Sequence, residues 1–144
     1  MLIGEYTHTL DDKKRLSLPK KFRTTLGKKV VITKGLDNCL FMYSPQGWKE
    51  TAEKLRSLSF AQADTRGMSR FMFSGAVEAD VDSAGRILIP DFLKEFAGLK
   101  SKVVLAGVSD RVEVWNEKAW SEYRVRIEKD ADRMAEKLGE IGVL

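Results

Sequence analysis

The 144 residues, 43% of them hydrophobic, suffice for one ordinary domain or two tightly joined half-domains with a real core. No apolar run nears the roughly 18 residues of a membrane span, Met1 to Glu5 carries no signal-peptide pattern, and a single cysteine (Cys39) and single histidine (His8) exclude an internal disulfide and argue against a metal site. The net charge of +4 hides an asymmetry: residues 1–72 carry 14 basic and 7 acidic side chains, whereas residues 73–144 carry 11 and 14.

Leu2 to Thr9 has the aromatic and β-branched content of a strand, with a blurred alternation. Asp11 to Lys14 is a polar turn, and Leu16-Ser17-Leu18 follows as a short strand with one apolar face. Pro19, with no amide hydrogen and a fixed φ, opens a helix over Lys20 to Leu26 that Gly27 stops; Phe22 and Leu26 share one face of it. Val30 to Thr33 and Cys39 to Tyr43 read as a hairpin around Lys34 to Asn38, with Cys39 a buried strand residue. Trp48, Ala52, Leu55 and Leu58 then take helical spacing after Ser44-Pro45, and Ala61 to Phe73 forms another helix leading to a strand at Gly75 to Val81. A strand from Ile87, a helix over Asp91 to Ala97, and strands at Val103 to Ala106 and Val112 to Trp115 around a Val108 to Arg111 loop come next. The final helix, Glu117 to Leu138, has Asn116 as its N-cap and packs either on a neighbouring subunit or on its own domain.

The chain is one module written twice. Asp11-Asp12-Lys13-Lys14-Arg15-Leu16-Ser17-Leu18-Pro19 returns 71 residues later as Asp82-Ser83-Ala84-Gly85-Arg86-Ile87-Leu88-Ile89-Pro90, and the match continues through the short helix, Gly27 against Gly98, and the strand pair. The modules are expected to span residues 1–74 and 75–144. Four short strands cannot enclose a core alone, so the two copies are expected to intertwine and close a shared barrel with flanking helices, an α+β, mainly β, architecture without exposed edges.

Nine basic residues and no acid lie between Lys13 and Lys34, which is either a phosphate-binding surface or a merely solvated face. In each repeat the Asp stands four residues before an Arg. Its carboxylate is placed to accept loop amides or to face the guanidinium, which gives a preordered cationic ridge or only an internal salt bridge. Arg15 and Arg86 suit guanine O6 and N7, with Lys13 and Lys14 as adjacent phosphate or base contacts and Lys20 and Lys21 as further DNA-binding candidates. Asp11, Asp82 and Gly85 are expected to structure the loops. There is no glycine-rich phosphate loop, no His with a nucleophile and no metal-spaced carboxylate cluster, so neither an enzyme nor a cofactor is expected.

These repeats, Asp11-x-x-x-Arg15 before Leu16-Ser17-Leu18-Pro19, and Asp82-x-x-Gly85-Arg86 before Ile87-Leu88-Ile89-Pro90, together with Leu99 to Val104 and Val114-Trp115, resemble the MraZ family. The resemblance implies a duplicated AbrB-like swapped-hairpin barrel and ring-shaped homo-oligomers. It also implies a nucleoid-associated, cytoplasmic regulator that binds repeated boxes of double-stranded promoter DNA ahead of its own division and cell-wall operon, usually as a repressor. By the same resemblance Arg15 and Arg86 are the DNA contacts, with Lys13 and Lys14 beside them; the sequence around Arg15 is basic, which favours its assignment, whereas Asp80, Asp82 and Asp91 surround Arg86. Lys14 departs from the pattern: it stands where the second copy has Gly85, and a left-handed turn there carries a steric cost. The alternative function is an antitoxin-like protein-interaction module of AbrB type.

Overall fold

Alternation of apolar and polar residues over short spans, punctuated by proline and glycine, sets the local structure. A computed structural model describes residues 1–144. Its elements are β1 (Leu2–Thr9), β2 (Arg15–Ser17), α1 (Lys20–Leu26), β3 (Lys29–Lys34), β4 (Leu40–Tyr43), α2 (Pro45–Arg56) and α3 (Ala63–Ser74), followed by β5 (Val77–Asp80), β6 (Arg86–Leu88), α4 (Asp91–Phe96), β7 (Lys102–Ser109), β8 (Val112–Asn116) and α5 (Glu117–Glu140). Pro19 and Pro90 precede the two short helices, where the first turn has no acceptor for an amide hydrogen. Gly27 closes α1 at φ 89°, donating its amide to the Arg23 carbonyl. Ser44 and Asn116 cap α2 and α5 by accepting the amides of Gly47 and Ala119. The expected Val108 to Arg111 loop is shorter than its sequence suggests, because β7 runs on to Ser109 and turns there at φ 84°.

Every strand pair but two joins the copies. The main sheet has the order β1-β7-β8-β4-β3-β5, all neighbours antiparallel, and β2 pairs with β6 in a separate two-stranded ribbon. Only β3 with β4 and β7 with β8 are pairings within one copy. β1 lies along the whole of β7, from Leu2 opposite Ser109 to Thr9 opposite Lys102. Gly107 sits opposite Gly4 in that ladder because a Cβ on it would come within 2.6 Å of the Ile3 amide nitrogen.

The expectation of a closed barrel is corrected: the six-stranded sheet is open, with β1 and β5 as its ends. The chain leaves β1 at Leu10, which bridges to Leu16 and donates its amide to the Ser101 carbonyl, and so bends into the ribbon before β1 can meet β5. The ribbon and the two short helices cover one sheet face instead. Leu16, Leu18, Phe22, Leu26, Ile87, Ile89 and Leu93 join Val30, Ile32, Leu40, Met42, Val103, Leu105, Val112 and Val114 in one core. A smaller cluster of Cys39, Phe41, Tyr43, Met72, Val104 and Trp115 lies beneath Trp48, Leu55, Met68, Phe71, Trp120 and Tyr123 of α2, α3 and α5. Cys39 is buried, as expected, but stands just before β4 and not within it, and burial pushes its thiol far above the ordinary range. Thr33, the one buried polar residue, donates its hydroxyl to the Met72 carbonyl at 2.6 Å.

Candidate nucleic-acid interface

The two Asp-x-x-x-Arg loops have the same internal wiring. Asp11 Oδ1 accepts the amides of Lys13 and Arg15 at 2.9 and 2.8 Å, and Asp82 Oδ1 accepts those of Ala84 and Arg86 at the same two distances. The second carboxylate oxygen of each takes the arginine Nε, at 2.9 Å for Arg15 and 3.0 Å for Arg86. Each turn ends in a left-handed residue, Lys14 at φ 63° and Gly85 at φ 77°. The turn that glycine makes freely is therefore made by lysine as well, at a cost of about 1 kcal/mol. Lys14 offsets part of this with an ion pair to Asp91 at 2.6 Å, a half-exposed contact worth at most about 1 kcal/mol. Gly85→Ala is expected to destabilise the chain by about 1 kcal/mol in urea denaturation. Its Cβ would fall 2.4 Å from an Arg23 Nη, and that guanidinium must swing aside.

Hydrogen bonds from the Arg15 and Arg86 amides, together with each guanidinium, hold the Asp11 and Asp82 carboxyls below the usual value of 3.8. A carboxyl depressed on folding stabilises the loop above its unfolded pKa and loses that contribution as pH falls through the folded one. Both loops should therefore stay ordered through neutral and mildly acidic pH and loosen only below 3.8. Carboxyl carbon NMR titration checks this: midpoints below 3.8 for both residues are expected, and midpoints at or above it contradict the wiring.

The ribbon brings the loops together. Arg15 lies opposite Leu88, Leu16 opposite Ile87 and Ser17 opposite Arg86. Side chains alternate across a strand, so buried Leu16 and Ile87 point inward and Arg15, Ser17, Arg86 and Leu88 share the outward face. The two arginines are diagonal neighbours there, about a third exposed, with Nε held and the Nη groups not hydrogen-bonded within the protein. A guanidinium fixed at Nε presents its Nη end to a phosphate or a base edge. Leu88, 57% exposed, stands opposite Arg15 at one end of this face. Sequence reasoning passed over Leu88 and Ser17, although the Arg-x-Ser and Arg-x-Leu alternation carried the signal.

The basic run from Lys13 to Lys34 does not form one surface. Lys13, Lys20 and Lys21 are exposed without ion pairs, but Lys14 is tied to Asp91. Lys29 lies 3.7 Å from Glu78 and 4.0 Å from Asp80, and Lys34 turns onto the rings of Phe71 and Phe96. The charge surroundings of the two arginines also differ from their order in sequence. The Ile89 amide donates to the Lys14 carbonyl and the Leu18 amide to the Gly85 carbonyl, so each loop packs against the other copy's short helix. Acidic Asp91 of α4 thus stands beside the first loop, and α1, with Lys20, Lys21 and Arg23, stands beside the second.

Two halves of the chain, residues 1–71 and 72–138, each match the family model described as "MraZ protein, putative antitoxin-like". The chain belongs to the MraZ family. Among its relatives, the transcriptional regulator MraZ of Moorella thermoacetica is 54% identical over 138 residues, 96% of either chain. Those of Acetivibrio thermocellus and Caldanaerobacter subterraneus are 49% and 47% identical over 143 residues, which is 99% of this chain and 100% of theirs. MraZ relatives thus match the chain across both repeats, and the loops described above fall one in each matched half. No helix is long and apolar enough to cross a membrane.

Proposed function

We propose that this MraZ chain is a sequence-specific DNA-binding transcriptional regulator that reads repeated boxes of promoter DNA and represses its own division and cell-wall operon. The observation that carries the reading is the shared outward face of Arg15 and Arg86 on the β2–β6 ribbon, with Lys13 beside it and Lys20 and Lys21 on α1. Arg86 and Arg15 contribute base or phosphate contacts, and the lysines fix the duplex. Asp11, Asp82 and Gly85 hold the loops in their binding shape, so little ordering is left to do on contact. The modules of residues 1–74 and 75–144 act as one unit because their strands interleave, in the manner of an AbrB-like swapped hairpin.

Self-association into a ring multiplies one weak face into several on the same duplex, and the gain is one of effective concentration. α5 supports such assembly: none of its 24 residues is buried, and Val125 and Leu138 stay exposed along it. A cytoplasmic, nucleoid-associated protein follows from this role.

Fluorescence anisotropy with a duplex from the chain's own promoter tests the reading. About four phosphate contacts per chain imply a roughly 150-fold fall in affinity between 50 and 200 mM salt. A flat response would remove electrostatic DNA binding. The second reading, an antitoxin-like protein-interaction module, draws on Leu58 and Phe60, exposed at 53% and 82% between α2 and α3. A stoichiometric protein partner bound by a chain with no affinity for duplex DNA would favour it.

A further inference from the structure

At the second loop, the C-terminal end of α1 and the start of β3 form a cleft of about 350 Å³, lined by Arg23, Gly27, Lys28, Val81, Asp82 and Ser83. Its cations come from one copy and its hydroxyl from the other. Backbone bonds fix both walls: the Val81 amide donates to the Lys28 carbonyl at 2.9 Å, and the Leu18 amide to the Gly85 carbonyl at 2.9 Å. The Arg23 guanidinium lies against Gly85 with no carboxylate partner, and its buried Nε has no hydrogen-bond acceptor. Lys28 and Ser83 are exposed and free of ion pairs. Asp82 is the one acid in the lining, and its charge is already answered by Arg86 Nε and two loop amides.

The equivalent place at the first loop is built to the opposite effect. There Asp12 stands for Ser83, Lys94 for Arg23, and uncharged Ser101 for Lys28, its carbonyl accepting the Leu10 amide as that of Lys28 accepts the Val81 amide, while the Lys14 ammonium is paired with Asp91. The duplication thus leaves one cationic cleft and one counterpart whose charges are balanced. A guanidinium with a buried, unpartnered Nε beside a lysine and a hydroxyl suits an oxyanion with several acceptor oxygens.

We infer that the Arg23–Lys28–Ser83 cleft is a phosphate seat belonging to the second loop, so that Arg86 rather than Arg15 docks against the better-anchored stretch of backbone. The inference rests on the DNA-binding reading for its natural ligand, a backbone phosphate; free phosphate offers the same chemistry. Lys28→Ala and Ser83→Asp, the latter copying Asp12 of the first loop, test it in the full chain, with Lys129→Ala on α5 as control. In the DNA arm, each variant should lower affinity. Loss of one contact should also flatten the salt dependence, shrinking the fall between 50 and 200 mM by about 3.5-fold. In the second arm, inorganic phosphate is titrated while the Arg23 Nε–Hε and Ser83 amide NMR signals are followed. Saturable shifts in the wild type that vanish in Lys28→Ala are expected. If DNA binding is unaffected but phosphate still saturates, the seat stands with free phosphate as its ligand. If the wild type binds no DNA, the regulator reading falls and the phosphate arm alone decides the seat. Wild-type DNA affinity and salt slope in both variants, together with no saturable phosphate shift, overturn it.

Discussion

Replacing Arg15 and Arg86 together by alanine is expected to reduce affinity for promoter DNA by about 2–6 kcal/mol, or abolish measurable binding, because each contact of this type is worth about 1–3 kcal/mol. That range is the sum of the two single losses, and because the arginines sit on one face of one ribbon any coupling between them shows as a departure from it. Anisotropy on the two single variants and the double gives the coupling between them. Assembly and folding should be unchanged: each side chain is about a third exposed, and its ion pair to Asp11 or Asp82 contributes little at a solvated site. Equal loss of affinity and of thermal stability would mean that the arginines serve the fold instead.

Phe22→Ala is the substitution expected to cost most in stability, about 3–5 kcal/mol. Phe22 is 1% exposed, anchors α1 in the main core and meets Tyr6 edge-on at 5.1 Å between ring centroids. α1 is only seven residues long and cannot hold itself by backbone hydrogen bonds, so its place against the second loop depends on Phe22 and Leu26. Chemical denaturation measures the loss. Because Arg23 rests on Gly85, residual folded protein should also lose order in the Asp82 to Arg86 loop, visible as faster amide exchange there than in β3. A loss under 1 kcal/mol would place the hydrophobic anchor elsewhere.

Local structure was legible in the sequence wherever one residue type has one physical role. Pro19 with Gly27, Ser44-Pro45 and Asn116 set helix ends, and β1 and α1 take the residues their composition predicts. At Asp11 and Asp82 the spacing offered loop amides or the guanidinium as partners, because only three residues stand between each acid and its arginine, and each carboxylate takes both. What local pattern does not encode is which distant strand pairs with which. β2 alternates equally well beside β1 or β6; in the fold Leu16 touches the end of β1 only through a single bridge to Leu10, and the strand pairs along β6. Two expectations failed for that reason. The sheet was expected to close and is open, and of the three acids near Arg86 in sequence only Asp82 pairs with it, while Asp91 turns to Lys14 and Asp80 lies near Lys29. Lys34 was counted with the basic surface and instead covers Phe71 and Phe96, a pairing that only tertiary packing reveals.

The distribution of charge at the two loops gives the duplication a purpose. In identical modules both arginines would carry the same surroundings. Here the crossing of the ribbon hands the cations of the first copy to the loop of the second, and the acids of the second to the first. One loop gains Arg23 and Lys28 of the first copy, and the other gains a tie that holds Lys14 in its left-handed turn. Such an unequal pair suits a duplex whose phosphates are met mainly on one side of a base-reading contact.

Photo-crosslinking from the ribbon tests the central claim most directly. A crosslinking side chain placed at Ser17 or at Leu88, opposite Arg86 and Arg15 respectively, should attach to a promoter duplex from both positions, and one at Ser121 on α5 should not. Attachment from α5 with none from either ribbon position would contradict a DNA-binding face built from the two crossed loops.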